Sequence, residues 1–135
     1  MMFEYNTSIK MHETDAAGVL FFANQFKLVH DAYEAFLESQ GFAIKDLLTN
    51  TAFLLPIVHA ETDFKAPLRV GDKVVVRLKV KKTGNTSFTL AHEIYKDGTL
   101  LTGAGETVHV CMDKNSAAKI PLPAELMEII CRHSS

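Results

Sequence analysis

Residues 24–41, Asn-Gln-Phe-Lys-Leu-Val-His-Asp-Ala-Tyr-Glu-Ala-Phe-Leu-Glu-Ser-Gln-Gly, decide the fold. Phe26, Val29, Tyr33, Phe36 and Leu37 recur at helical spacing, while Lys27, Asp31, Glu34 and Glu38 fall elsewhere on the wheel. The spacing predicts a helix with Asn24 as its N-cap and Gly41 as its stop. Its long aromatic stripe needs an apolar cover along its whole length.

Downstream the period changes from helical to two. Residues 42–56 hold one candidate helical turn, Ile44 to Leu48, before Pro56 punctuates the chain. Val58 to Lys65 reads as a strand closed by Pro67. Val74, Val76, Leu78 and Val80 then share one face, with Arg77, Lys79 and Lys81 on the other. Thr83-Gly84-Asn85 is turn chemistry, Phe88, Leu90, His92 and Ile94 share a face, and Asp97-Gly98 signals a hairpin. Leu100 to Met112 alternates again, with Gly103 and Gly105 marking a bulge or a close backbone approach. A short helix, Ala124 to Cys131, follows Pro121 and Pro123. Upstream, Phe3 to Met11 reads as a first strand and residues 12–23 as a loop.

A sheet with one apolar face must be covered, and only the 24–40 helix is long enough to cover this one. The expected fold is therefore α+β, an antiparallel sheet wrapped around one long central helix. With 135 residues the chain fits one domain, 1–135, and buries roughly two-thirds of its extended surface. No repeat, low-complexity segment or linker interrupts it.

Composition narrows the function classes. A net charge of −2 lacks the basic excess of a nucleic-acid module, though a local basic patch for a phosphorylated ligand remains compatible with it. No apolar run approaches the ~20 residues of a membrane span, and Met1 to Lys10 lacks the pattern of a secretory signal. A cytoplasmic protein is expected. Cys111 and Cys131 sit in unlike contexts and predict no disulfide, and neither they nor the histidines have metal-ligand spacing. No metal and no cofactor is expected.

Chemistry concentrates just before the helix, in Thr14-Asp15-Ala16-Ala17-Gly18-Val19-Leu20-Phe21-Phe22-Ala23-Asn24. A carboxylate, small residues and a glycine lead into a helix start. That order can set one acid beside amide donors, the pairing acyl transfer requires: a group to attack or to activate water, and a group to hold an oxyanion. An isolated loop aspartate is ordinarily a solvated side chain, so this context carries the assignment of Asp15.

These residues, together with Leu55-Pro56-Ile57-Val58, the run Asp63 to Asp72 (DFKAPLRVGD) and the segment Gly103 to Asp113, resemble the hot-dog-fold acyl-CoA thioesterases of the 4-hydroxybenzoyl-CoA type. The likeness runs to about residue 113. Within that family Thr14 to Gly18, Phe22-Ala23-Asn24, the His30-x-Ala32-Tyr33-Glu34 stretch and Pro56 to Ala60 are most similar to the 1,4-dihydroxy-2-naphthoyl-CoA hydrolases of quinone biosynthesis. Phe22 and Met11 stand where another branch carries His and Tyr, which implies an apolar, aromatic-tolerant pocket.

The resemblance implies hydrolysis of an acyl-CoA thioester, with Asp15 as nucleophile or general base. It implies that the amide near Phe22 polarises the thioester carbonyl, with Gly18, Ala23 and Asn24 shaping the loop around it. His59 is a candidate pocket residue, and Glu34 on the helix is the alternative acid. Arg69, Lys81 and Lys82, with Lys79, are candidates for the coenzyme A phosphates. The expected partners are acyl-CoA and a second copy of the chain, in a homodimer or homotetramer with Asp15 of one subunit facing the other. Acyl-CoAs of other kinds, a non-catalytic acyl-binding module and a dehydratase are the rival readings.

Overall fold

The computed structural model describes residues 2–134; the two end residues of the expected 1–135 domain lie outside the described residues. The long helix α1 spans Asn24–Ser39 and buries Leu28, Val29, Ala32, Tyr33, Phe36 and Leu37. It lies on a five-stranded antiparallel sheet in the order β1-β4-β5-β6-β3. The strands are β1 (Phe3–Ser8), β3 (Ile57–Phe64), β4 (Lys73–Thr83), β5 (Ser87–Lys96) and β6 (Leu100–Val110). A short helix α2 (Ile44–Asn50), a two-stranded ribbon of β2 (Phe53–Leu54) with β7 (Met112–Asp113), and the terminal helix α3 (Ala124–Arg132) complete the chain.

The core joins the helix stripe to the sheet's apolar face. Val74, Val76, Leu78 and Val80 of β4 and Phe88, Leu90 and Ile94 of β5 are all buried against α1. Each such side chain contributes about 1.5–3 kcal/mol of burial, which explains why sheet and helix need each other. Leu126, Ile129 and Ile130 of α3 extend the same core.

Helix ends differ from expectation at one terminus. Gly41 closes α1 as predicted, with φ of 87°, while its amide donates to the Glu38 carbonyl and that of Phe42 to Leu37. This is a Schellman closure, which needs the left-handed conformation glycine tolerates. Asn24, in contrast, is not the N-cap. The backbone is already helical at Ala23, and Asn24 Nδ2 instead donates to the Glu13 carbonyl at 2.8 Å. The buried face also includes Gln25, Leu28 and Ala32, which the aromatic stripe did not reveal.

The hairpin at Asp97-Gly98 has both residues at positive φ, 52° and 73°, as a type I′ turn requires. Gly103 and Gly105 are sites of close approach: a Cβ on Gly105 would stand 2.1 Å from the Glu61 carbonyl oxygen of β3. The candidate turn at 44–48 is a full helix, α2. Cys111 is buried and Cys131 exposed, both as free thiols. No helix among the described residues is long and apolar enough to cross a membrane.

Two strands end the sheet, β1 and β3. β3 is exposed along nearly its whole length, with Ile57, Val58 and Phe64 more than 40 % accessible. An unpaired apolar edge of this kind is a template for another strand.

Candidate active site

The Asp15 loop is built by local backbone chemistry. Gly18 N–H donates to the Asp15 carbonyl and Asp15 N–H to the Val19 carbonyl, closing a tight turn with Gly18 at φ 75°. A side chain at Gly18 meets no neighbour, so its conformation rather than space demands glycine. Thr14 pairs with Leu20, and Val19 with Arg69, so the loop is strapped to the 68–69 segment. Leu20 N–H donates to the Leu68 carbonyl at 2.7 Å.

Within this turn the Asp15 carboxylate is exposed. Its Oδ1 accepts from the amides of Ala17 at 2.9 Å and Val19 at 3.4 Å. Its Oδ2 has no partner among the described residues. One oxygen therefore orients the group and the other is available to a ligand. The amides holding Asp15 belong to its own loop, not to the helix start as the sequence order suggested. The helix start offers a separate pair of donors: the amides of Phe22 and Ala23 find no acceptor among the described residues, whereas those of Asn24 and Gln25 bond back to Phe21 and Phe22. Free N–H groups at a helix N-terminus favour a developing negative charge.

Glu13 ties the two parts together and was not singled out from sequence. Its carbonyl accepts from Phe21 N–H and from the Asn24 side chain. Its buried carboxylate accepts from Lys10 N–H at 2.7 Å and from the Lys27 ammonium at 3.0 Å. Burial works against this charge, but the Lys10 amide and Lys27 outweigh it and hold the carboxyl below its usual range.

A cavity of about 380 Å³ lies between this loop and the end of β3, walled by Val19, Leu20, Phe22, Gln25, Phe64 and Lys65 among others. A second, narrower cavity of about 160 Å³ follows α1 inward, between Phe26, Val29 and Tyr33 on the helix and Ile57, Ala60 and His109 on the sheet. β3 thus passes both, with Phe64 at the first and Ala60 at the second. Buried His109 stacks on Phe88 at 4.9 Å and tilts against Tyr33 at 4.4 Å. Burial holds its imidazole neutral, pushed down to about 4.

The other candidates scatter. His59 is exposed beside Glu61 at 3.1 Å and lines neither cavity. Glu34, half-exposed on α1, is engaged at 2.9 Å with His30, which itself lines the narrower cavity. Lys81 is paired to Glu106 at 2.6 Å, and exposed Lys82 lies past the β-bulge at Val80. Arg69 alone of the proposed phosphate ligands borders the Asp15 loop, and Lys65, which was not singled out, walls the larger cavity. Ala23 is exposed beside Phe22, and Met11 projects into solvent.

A family model described as the thioesterase-like superfamily matches residues 9–130. A 1,4-dihydroxy-2-naphthoyl-CoA hydrolase of Nostoc punctiforme is 40% identical over 128 residues, 95% of this chain and 86% of that one. The crystal structure of a 1,4-dihydroxy-2-naphthoyl-CoA thioesterase from Synechocystis superposes with a TM-score of 0.91 at 32% identity, covering 97% of this chain and 96% of the other. A gentisyl-coenzyme A thioesterase structure gives 0.84 at 31% identity over 94% and 98% of the two chains. The hot-dog architecture expected from the sequence is thereby established.

Proposed function

The chain belongs to the thioesterase-like superfamily, and we propose that it hydrolyses an aromatic acyl-CoA thioester, 1,4-dihydroxy-2-naphthoyl-CoA first among them, with Asp15 as the reacting carboxylate. The observation that carries the catalytic part is the half-tethered Asp15: Oδ1 held by two loop amides, Oδ2 unpartnered, in a loop strapped to the cavity wall. Relatives that act on hydroxylated aryl thioesters at 31–40% identity support the substrate class. The narrow second cavity, with Phe26, Tyr33 and His109 around it, offers flat apolar walls suited to a ring.

In this reading the thioester carbonyl sits at the free amide of Phe22, where the oxyanion develops. One such donor contributes roughly 3–4 kcal/mol to the barrier in other hydrolases. Two routes then satisfy the geometry. Asp15 Oδ2 removes a proton from a water that attacks the carbonyl carbon, or it attacks that carbon itself and the resulting mixed anhydride is hydrolysed. In both, the C–S bond breaks, the free acid forms, and the sulfur leaves as coenzyme A thiolate that takes up a proton. Lys65 walls the larger cavity and Arg69 borders the Asp15 loop, and both are better placed for the coenzyme A phosphates than Lys81, whose charge Glu106 already meets. A cytoplasmic location and a step in quinone biosynthesis go with this substrate.

The test is release of coenzyme A across naphthoyl, benzoyl and aliphatic thioesters. The expected order places 1,4-dihydroxy-2-naphthoyl-CoA first by kcat/KM, with hydroxybenzoyl thioesters next. A preference for aliphatic chains overturns the assignment to aromatic substrates.

In solution the chain forms a homodimer, or a homotetramer built as a dimer of dimers, through the free edge of β3. Pairing there would cover Ile57, Val58 and Phe64 and bring a second subunit to the rim of both cavities. Sedimentation at micromolar concentration is expected to give at least twice the mass of one chain; a monomeric mass removes the shared-site part of the proposal.

A further inference from the structure

Gln25 is a polar side chain only 2 % exposed at the start of α1, and it also walls the larger cavity. Its amide nitrogen is fixed by two contacts on β3. Nε2 donates to Thr62 Oγ1 at 2.7 Å and to the Asp63 carbonyl at 3.0 Å. A backbone carbonyl can only accept, so the nitrogen must occupy that side and the carboxamide cannot be turned round. Thr62 Oγ1 is held in turn by His92 Nε2 at 2.9 Å. From the other side, the carboxamide lies against Gly103, where a Cβ would come within 2.5 Å of Nε2 and 2.9 Å of Cδ. Sequence, strand register and a glycine thus lock one orientation.

That orientation leaves the oxygen over. Gln25 Oε1 has no hydrogen-bond partner among the described residues. It is not sealed away either: the sealed, unpartnered side-chain atoms among those residues are Thr83 Oγ1, His92 Nδ1 and His109 Nδ1. A fixed acceptor at the wall of a cavity otherwise lined largely by Val19, Leu20, Phe22 and Phe64 selects for a donor in whatever enters.

We propose that Gln25 is a substrate-binding residue whose carboxamide oxygen accepts a hydrogen bond from an amide N–H of the pantetheine arm. This rests on the acyl-CoA reading and deepens it. The arm is the part of such a substrate adjoining the thioester, and its amides are the donors nearest the sulfur. Gln25 lies about one turn beyond Phe22, so the entry into α1 meets the thioester carbonyl through a donor just before the helix and the arm through an acceptor in its first turn. Gly103 and Thr62 are positioning residues that hold this acceptor in place.

The test is equilibrium binding, with no hydrolysis required. One probe is an S-alkyl pantetheine thioether; the other is its depsi analogue, with each amide N–H replaced by an ester oxygen. Wild type is expected to prefer the amide probe roughly tenfold, the scale of one hydrogen bond made out of bulk water. Gln25→Met should erase the preference, whatever its effect on overall affinity or melting temperature. Gly103→Ala should reduce it with residue 25 still glutamine, because the added Cβ displaces the carboxamide. The ratio of probes cancels any general loosening of the site. Three results overturn the proposal: wild type shows no preference, wild type does not bind the pantetheine probe, or the preference survives in both variants. A protein that shows the preference yet cleaves no thioester retains this inference and loses the hydrolase reading.

Discussion

Asp15→Asn lowers thioester turnover about 10³-fold, within the range that loss of a positioned acid or base produces, while the fold stays intact. Asparagine keeps an Oδ1 that can accept from Ala17 and Val19, so the turn set by Gly18 survives. What disappears is the charge on Oδ2, the oxygen left without a partner. The expected signature is therefore a fall in kcat with an unchanged melting temperature and nearly unchanged KM. Asp15→Ala, which also removes the tether to the two amides, should lose activity to a similar extent and show a lower melting temperature. Near-wild-type turnover by Asp15→Asn removes Asp15 from the mechanism. Glu34 would be a poor substitute, its carboxylate being engaged with His30. In a single turnover in ¹⁸O-water, label in the Asp15 carboxylate identifies the anhydride route with water attacking the Asp15 carbon, whereas label confined to the released acid fits either route.

Much of this site was legible because it is made of consecutive residues. A turn-forming Asp-x-x-Gly and an aromatic helical stripe are local patterns, and both formed as their spacing required. The β4–β5–β6 meander was legible for the same reason, with alternation and the Asp97-Gly98 turn fixing faces and connection. What remained hidden depends on partners far away in sequence. Asn24 stands where an N-cap belongs, yet its side chain reaches Glu13, eleven residues upstream. Glu13 looks like a solvated loop charge, yet the Lys10 amide and Lys27 across the loop together hold its buried carboxylate. Gln25 reads as an ordinary polar residue at a helix start, because nothing local announces that Thr62 and Asp63 of β3 will take its amide. The surroundings of the basic residues depend on register. Lys81 is the unpaired residue of the bulge between Val80 and Lys82, and its ammonium ends on Glu106 of β6. Lys65 gains its place at the cavity, and Arg69 its place beside Val19, from the return of the chain along the Asp15 loop.

The two buried histidines make stability fall steeply in mild acid. His92 and His109 are 2% and 1% exposed, and each has a ring Nδ1 without a partner among the described residues. The Nε2 atoms meet threonine hydroxyls, Thr62 at 2.9 Å and Thr107 at 2.8 Å. Burial pushes both imidazoles down to about 4; His30 lowers His109 further, and Glu106 offsets part of the effect at His92. In the unfolded chain each titrates near 6.5. Below that value the unfolded state binds protons that the native state does not, so stability, full above pH 6.5, is lost as pH falls toward 4. Each histidine contributes on the order of 3 kcal/mol to this loss, and the pair approaches the whole stability of a marginal domain. Urea unfolding at fixed protein concentration should therefore lose several kcal/mol between pH 7 and pH 4.5, on the order given by this linkage. The His92→Gln, His109→Gln double variant, though weaker at pH 7, should show a much flatter profile over the same interval. Glu13 cannot account for the effect, since a carboxyl held below its usual range loses its contribution only at pH values below about 4.5. An equally steep decline in the double variant would place the acid sensitivity elsewhere in the molecule. A flat wild-type profile would mean that these imidazoles accept protons without leaving the core.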